Sequence, residues 1–122
     1  MNALIEKVLN YKELQELDKV LHYPLNMLIR DTSKLDENEL KYATNSLTHT
    51  DFLIYRKIDK TPVLVVEVDG YSFHADNPKQ LERDRMKDTI LKKYNIPILR
   101  LPTNGSGEEE KIKEKLAQIL NT

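Results

Sequence analysis

Three carboxylates in this chain stand at the ends of apolar segments. Asp51 opens Asp51-Phe52-Leu53-Ile54-Tyr55, while Glu67 and Asp69 close Val63-Leu64-Val65-Val66-Glu67-Val68-Asp69-Gly70. Successive side chains of an extended strand alternate between faces, so Glu67 and Asp69 point the same way. Like charges placed so repel each other unless a cation or a basic partner joins them. If the two segments pair as an antiparallel hairpin, the start of the first lies beside the end of the second and Asp51 faces both acids. Three carboxylates converging at one sheet edge form a hard-oxygen site suited to Mg²⁺ or Mn²⁺. The plainer alternative is a strand end that emerges into water, where an acidic pair costs little.

A second group follows. Gln80, Asp84 and Lys87 recur at i, i+4 and i+7, and the spacing predicts one helix face roughly opposite a Met86/Ile90/Tyr94 stripe. Lys79, Arg83, Arg85, Lys87, Lys92 and Lys93 outnumber Glu82, Asp84 and Asp88 along the same stretch. Beside a metal, Gln80 and Lys87 would orient water or neutralise a phosphate oxygen. As an ordinary solvated face, they would be held by ion pairs such as Asp84 with Lys87. His74 suits a general acid or base near the metal, or a histidine bonded to a loop carbonyl. Tyr71 and Phe73 read as packing residues. Gly105-Ser106-Gly107 lacks the lysine and the spacing of a phosphate-binding loop, so it reads as turn and cap.

The elements that must position these groups follow from periodicity. Leu4, Ile5, Val8 and Leu9 mark a first helix that Leu14 and Leu17 would extend. Its abrupt start is what a C-terminal piece of a longer protein would show. Residues 20–23 read as a strand stopped by Pro24, and residues 25–30 as either a strand or a single helical turn. Asp36 and Glu39 have capping-box spacing for a short helix through Ala43. Residues 52–55 and 63–66 are strands apolar on both faces, as strands covered on both sides must be. A helix spans 80–94, closed by Asn95 and barred from continuing by Pro97. Residues 98–101 form a buried strand. Ser106 and Glu109 then form a second capping box, before a helix carrying Ile112, Leu116, Ile119 and Leu120. The order predicts one mixed-sheet α/β domain over residues 1–122, with helices on both faces.

Composition narrows the function classes. At 122 residues and 14.3 kDa there is room for one domain. Cysteine is absent, which removes disulfides, thiol nucleophiles and cysteine-ligated zinc and fits a reducing cytoplasm. No apolar run approaches the ~20 residues that span a bilayer, and no secretory signal opens the chain. A net charge of −1 means that any attraction for nucleic acid must come from a local patch.

Thr50-Asp51, Glu67-Val68-Asp69-Gly70 with His74, Gln80-x-x-x-Asp84-x-x-Lys87 and Ile98-Leu99-Arg100 together resemble the PD-(D/E)xK restriction-endonuclease-like superfamily. The branch they are most similar to includes very-short-patch repair endonucleases and nuclease-like domains at the C-terminal ends of bacterial superfamily-one helicases. The resemblance runs from about Leu21 to Leu120 and is densest from Thr50 to Arg100. It implies an αβββαβ core and a metal held by Asp51, Glu67 and the Val68 carbonyl, with activated water attacking a DNA phosphodiester. Asp69 stands where the family's lysine usually does, and Lys87 is the first candidate for that lysine's electrostatic task. Glu6 or Glu13 is the nearest counterpart of an acidic residue expected in the first helix. On this reading Asp69 completes the site, and Lys79, Arg83 and Arg85 steer the DNA backbone. The rival expectation is a nuclease-like module without activity that binds DNA or docks a partner such as a helicase motor domain.

Overall fold

The computed structural model of the chain describes residues 1–69, 77–102 and 107–121. Its elements are α1 (Asn2–Leu9), a 3-10 turn (Lys12–Leu14), β1 (Leu17–Leu21), α2 (Leu25–Leu28) and α3 (Glu37–Thr44), then β2 (Phe52–Arg56), β3 (Pro62–Asp69), α4 (Pro78–Lys93), β4 (Ile98–Pro102) and α5 (Glu108–Leu120). The mixed α/β architecture is the one that periodicity predicts, with local differences. Leu14 and Leu17 do not prolong α1. The chain turns extended at Tyr11 (φ −62°, ψ 140°), and the two leucines are buried in the 3-10 turn and in β1 instead. The first strand occupies 17–21 rather than 20–23, because His22 adopts a left-handed φ of 52° that an extended strand cannot continue through. Residues 25–28 resolve as a short helix.

Local signals at the helix ends mostly act as expected. The Asp36 carboxylate accepts from the Glu39 N–H (2.8 Å) and Glu39 accepts from the Asp36 N–H (2.9 Å), a complete capping box. Asn77 caps α4 by accepting from the Gln80 N–H (3.1 Å), with Pro78 in the first turn. Asn95, at φ 58°, follows the helix end. The second capping box is corrected: the N-cap of α5 is Gly107, at φ 78° and without a side-chain cap. Glu109 turns away to accept from the Tyr11 hydroxyl (2.9 Å) and to pair with Lys7 (3.3 Å), which fastens α5 to α1. Ser106 and Gly105 lie outside the described residues.

The sheet has the order β1-β2-β3-β4, with the first two pairings antiparallel and β3–β4 parallel. Phe52 faces Val66 and Leu53 faces Val65. One face carries Ile54, Leu64 and Val66 against Ile5 and Val8 of α1 and Ile112 and Leu116 of α5. The other carries Leu53 and Val65 against Leu25, Ala43, Ile90 and Leu91 from α2, α3 and α4. Helices thus cover both faces. Among the described residues, no helix is long and apolar enough to cross a membrane.

Candidate functional site

Running the β2–β3 register one step outward from Phe52↔Val66 sets Asp51 opposite Glu67. Two hydrogen bonds tie Asp51 to the end of β3, one to Glu67 and one to Val68. The Asp51 N–H donates to Glu67 Oε2 (2.6 Å), and the Val68 N–H donates to Asp51 Oδ2 (2.8 Å). Both acids lie on the face shared with Leu53 and Val65, beneath α4. Asp51 and Glu67 are therefore neighbours across the hairpin, as the antiparallel pairing predicts.

Lys87 reaches the same point from α4. Its ammonium donates to Glu67 Oε1 and to the His49 carbonyl (2.9 Å). Glu67 is 3% exposed and Lys87 9%, so this is a buried ion pair rather than the surface pair with Asp84 that the solvated-face reading expects. Burial pushes the Glu67 carboxyl above its ordinary pKa, while the Lys87 charge and the Asp51 N–H act in the opposite direction without cancelling it. The predicted placement of Gln80, Asp84 and Lys87 opposite the apolar stripe is also corrected. Lys87, Ile90 and Leu91 are all buried, and Met86 and Tyr94 pack beside Ile90 and Leu91. The polar and apolar stripes are adjacent, so one flank of α4 is polar at its N-terminal half and apolar further on.

Asp69 does not join Asp51 and Glu67 as a third converging acid. Arg100 on β4 is the ladder partner of Glu67, two residues before the partner of Asp69, and its Nη1 donates to both Asp69 oxygens (3.2 and 3.4 Å). The same guanidinium binds Asp88 (2.8 Å), the Asp84 carboxylate (3.5 Å) and the Asp84 carbonyl (3.2 Å). Burial disfavours its charge, but the Asp88 hydrogen bond, followed by the charges of Asp88, Asp69 and Asp84, raises its pKa above the usual arginine value. Arg100 is thus a hub that ties three acids together with one positive charge. Sequence reasoning grouped it with the strand motif without giving it a role. The signal was a charged residue inside the short apolar run Ile98-Leu99-Arg100-Leu101.

These groups border a cleft of about 730 Å³ lined by Asp51, Glu67, Val68, Asp69, Gln80, Arg83, Asp84 and Lys87 on the sheet and α4 side. Tyr42, Asn45 and His49 line it from α3 and the loop that follows. Gln80 Nε2 donates to Asp84 Oδ1 (3.0 Å). Arg83 is exposed at the rim, whereas Lys79 and Arg85 are exposed and do not line the cleft. His74, Tyr71 and Phe73 lie outside the described residues. Glu6 pairs with Lys19 (3.2 Å), and its helix α1 packs on the opposite sheet face, away from the cleft. Two histidines that sequence reasoning passed over, His22 and His49, flank Asp51. Their rings meet edge to face with centroids 5.2 Å apart.

A family model described as "Protein of unknown function (DUF2726)" matches residues 24–119, most of the chain, and the chain belongs to that family. No curated protein and no solved structure matches it.

Proposed function

We propose that this family member is a metal-dependent nuclease domain that hydrolyses DNA phosphodiester bonds on a restriction-endonuclease-like αβββαβ core. The observation that carries this reading is the meeting of Asp51, Glu67 and Lys87 in one cleft, two carboxylates and an ammonium delivered by two strands and a helix. The element order supports it: α1, three antiparallel strands, α4 and a parallel β4, with only short helices inserted. The resemblance of the Asp51, Glu67 and Gln80-to-Lys87 motifs supports it as well.

The oxygen donors of Asp51 and Glu67, with the Val68 carbonyl, fit a hard divalent cation such as Mg²⁺ or Mn²⁺. When bound, such an ion supplies an acidified water and positive charge at the phosphate. The chain's own residues do the rest. Lys87 takes the place of the lysine that Asp69 replaces, and its buried ammonium stands ready to stabilise charge developing on a phosphate oxygen. Gln80, with its NH₂ tied to Asp84, keeps its Oε1 to accept a hydrogen bond from water and orient it. Arg83 draws the DNA backbone to the rim, with Lys79 and Arg85 extending the basic flank. Arg100 pairs with Asp69 and offsets part of its charge, which lowers the repulsion an incoming phosphate meets.

One specific observation favours a second reading. Both Glu67 oxygens are already engaged, one by Lys87 and one by the Asp51 N–H. An acid satisfied in this way also serves a module without activity that binds DNA or a partner domain. Incubation with single- and double-stranded DNA, with and without Mn²⁺, separates the two. Cleavage that requires Mn²⁺ and disappears in both Asp51→Asn and Glu67→Gln is the expected result. Salt-sensitive binding with no cleavage of any substrate favours the second reading in its DNA-binding form, and neither binding nor cleavage refutes both the nuclease and the DNA-binding module, leaving only the docking of a partner domain.

A further inference from the structure

We infer that His22, His49 and Asp51 form a second metal site, one that takes a divalent transition-metal ion of the zinc class. One ligand atom from each of the three residues lies within 4.8 Å of the others. Ligands around zinc at about 2.1 Å stand roughly 3.4 Å apart in a tetrahedron, so small rotations of two exposed rings complete the set. Two imidazoles and one carboxylate are a borderline-soft donor set. It favours zinc, cobalt, nickel or copper over Mg²⁺, which wants oxygen throughout.

The backbone builds this cluster deliberately. The segment 48–51 is zipped to 22–25 by His22 N–H to the Asp51 carbonyl (3.0 Å), Thr50 N–H to the Tyr23 carbonyl (2.9 Å) and Leu25 N–H to the Thr48 carbonyl (3.0 Å). An isolated bridge joins Pro24 and His49. His22 sits at a φ of 52°, a conformation uncommon for any residue but glycine. That turn brings its ring against His49.

The surroundings of the ligands point the same way. His49 Nδ1 lies 3.0 Å from the Leu47 carbonyl. A carbonyl oxygen can only accept, so Nδ1 carries the proton, and in the neutral ring Nε2 then keeps its lone pair. That is the outer-shell arrangement by which proteins fix the tautomer and orientation of a ligating histidine. The Asp51 carboxylate is held in turn by the Val68 N–H at Oδ2. Two of the three ligands are therefore oriented before any ion arrives. Both histidines are exposed and Asp51 is half-buried, so the site is open to entry and leaves a coordination position for water. This site stands independently of the nuclease reading, with which it shares only Asp51.

The test is titration of the metal-free protein with Zn²⁺, and with Co²⁺ for its visible spectrum, while the ring nitrogens of the histidines are followed by NMR. One equivalent of Zn²⁺ should bind and shift the ring signals of His22 and His49 together, with Mg²⁺ shifting neither. Outer-shell partners of a ligand alone are worth about 10–100-fold in metal affinity, so His22→Asn and His49→Gln should each weaken Zn²⁺ binding by at least tenfold. Asparagine tolerates the left-handed backbone at position 22, and the wild-type NMR titration needs no variant at all. Zinc bound equally well by the double variant overturns the assignment, as does a titration that leaves both ring signals unmoved.

Discussion

Lys87→Met removes the ammonium that pairs with Glu67 but keeps most of the buried stem, so its effect isolates the charge. Without Lys87, the carboxylate of Glu67, 3% exposed, retains the Asp51 N–H as its one hydrogen-bond partner among the described residues. Breaking a buried pair from one side costs about 3–5 kcal/mol. Glu67 can limit that cost by taking up a proton. At pH 7, against the 4.5 of a free glutamate, proton uptake sets a ceiling of about 3.4 kcal/mol on the electrostatic part. Loss of the hydrogen bond to the His49 carbonyl adds about 1 kcal/mol. Because burial already raises the wild-type Glu67 carboxyl, the deficit is at most about 3–4 kcal/mol at pH 7, a fall of up to roughly 10–15 °C in melting temperature for a chain of this length.

The sign of the pH dependence is the diagnostic part. In the variant the Glu67 carboxyl has a raised folded-state pKa. Its ionised form is disfavoured only in the folded chain, so the deficit is largest above that pKa and shrinks as pH falls toward 4.5. Urea denaturation of both proteins in EDTA at pH 7 and pH 4.5 measures it. Adding Glu67→Gln should recover much of the loss, because an amide leaves no buried charge. A deficit below about 1 kcal/mol at pH 7, or one that is the same at both pH values, refutes the buried-pair account.

Two further outcomes test the frame around the site. Tyr11→Phe removes the hydrogen bond that is the largest cause of the lowered Glu109 pKa, ahead of the Lys7 hydrogen bond and charge. A depressed carboxyl stabilises above its unfolded pKa and loses that contribution as pH falls through the folded one. The variant should therefore be less stable than wild type at pH 7 and nearly equal to it at pH 3, and equal losses at both pH values would contradict the link. Leu64→Ala, in a fully buried position of β3, should cost about 2–5 kcal/mol in urea unfolding, whereas Leu47→Ala, 81% exposed, should stay within about 0.5 kcal/mol.

The hairpin was legible because its two apolar runs are each bounded by an acid, and pairing those acids leaves one plausible register. The C-terminal end of α4 was legible because Asn95 and Pro97 act locally, whereas its start lies two residues earlier than the periodicity predicts, at Pro78 behind the Asn77 cap. What escaped depends on contacts made across the fold. Lys87 reads as solvated if the stripe through Gln80 and Asp84 is taken alone. Continued one further turn, the same stripe arrives at Leu91, which is buried. Asp69 reads as a metal ligand until β4 is placed parallel beside β3 and delivers Arg100. His22 and His49 have no spacing that links them, since only the zipped 22–25 and 48–51 segments bring them together. Ser106 has the right spacing for a cap, but spacing cannot reveal that Glu109 has a stronger partner in Tyr11.

The pairing of Glu67 with Lys87 also orders the two proposed metal sites by the work an ion must do to enter. A cation shared by Asp51 and Glu67 has to displace the Lys87 ammonium from Glu67 or share the carboxylate with it, and it meets the residual repulsion of a buried positive charge. An ion at His22, His49 and Asp51 displaces no salt bridge, because its nitrogen ligands are exposed and the Asp51 contact to Val68 uses one oxygen only. The histidine site should therefore fill first, at low concentrations of a zinc-class metal. The carboxylate site should need the higher concentrations at which Mg²⁺ is supplied, together with a phosphate that gives Lys87 a new partner. On the proposed nuclease reading the salt bridge acts as a latch: it keeps the buried Glu67 charge balanced until a phosphate brings the negative charge that releases the lysine.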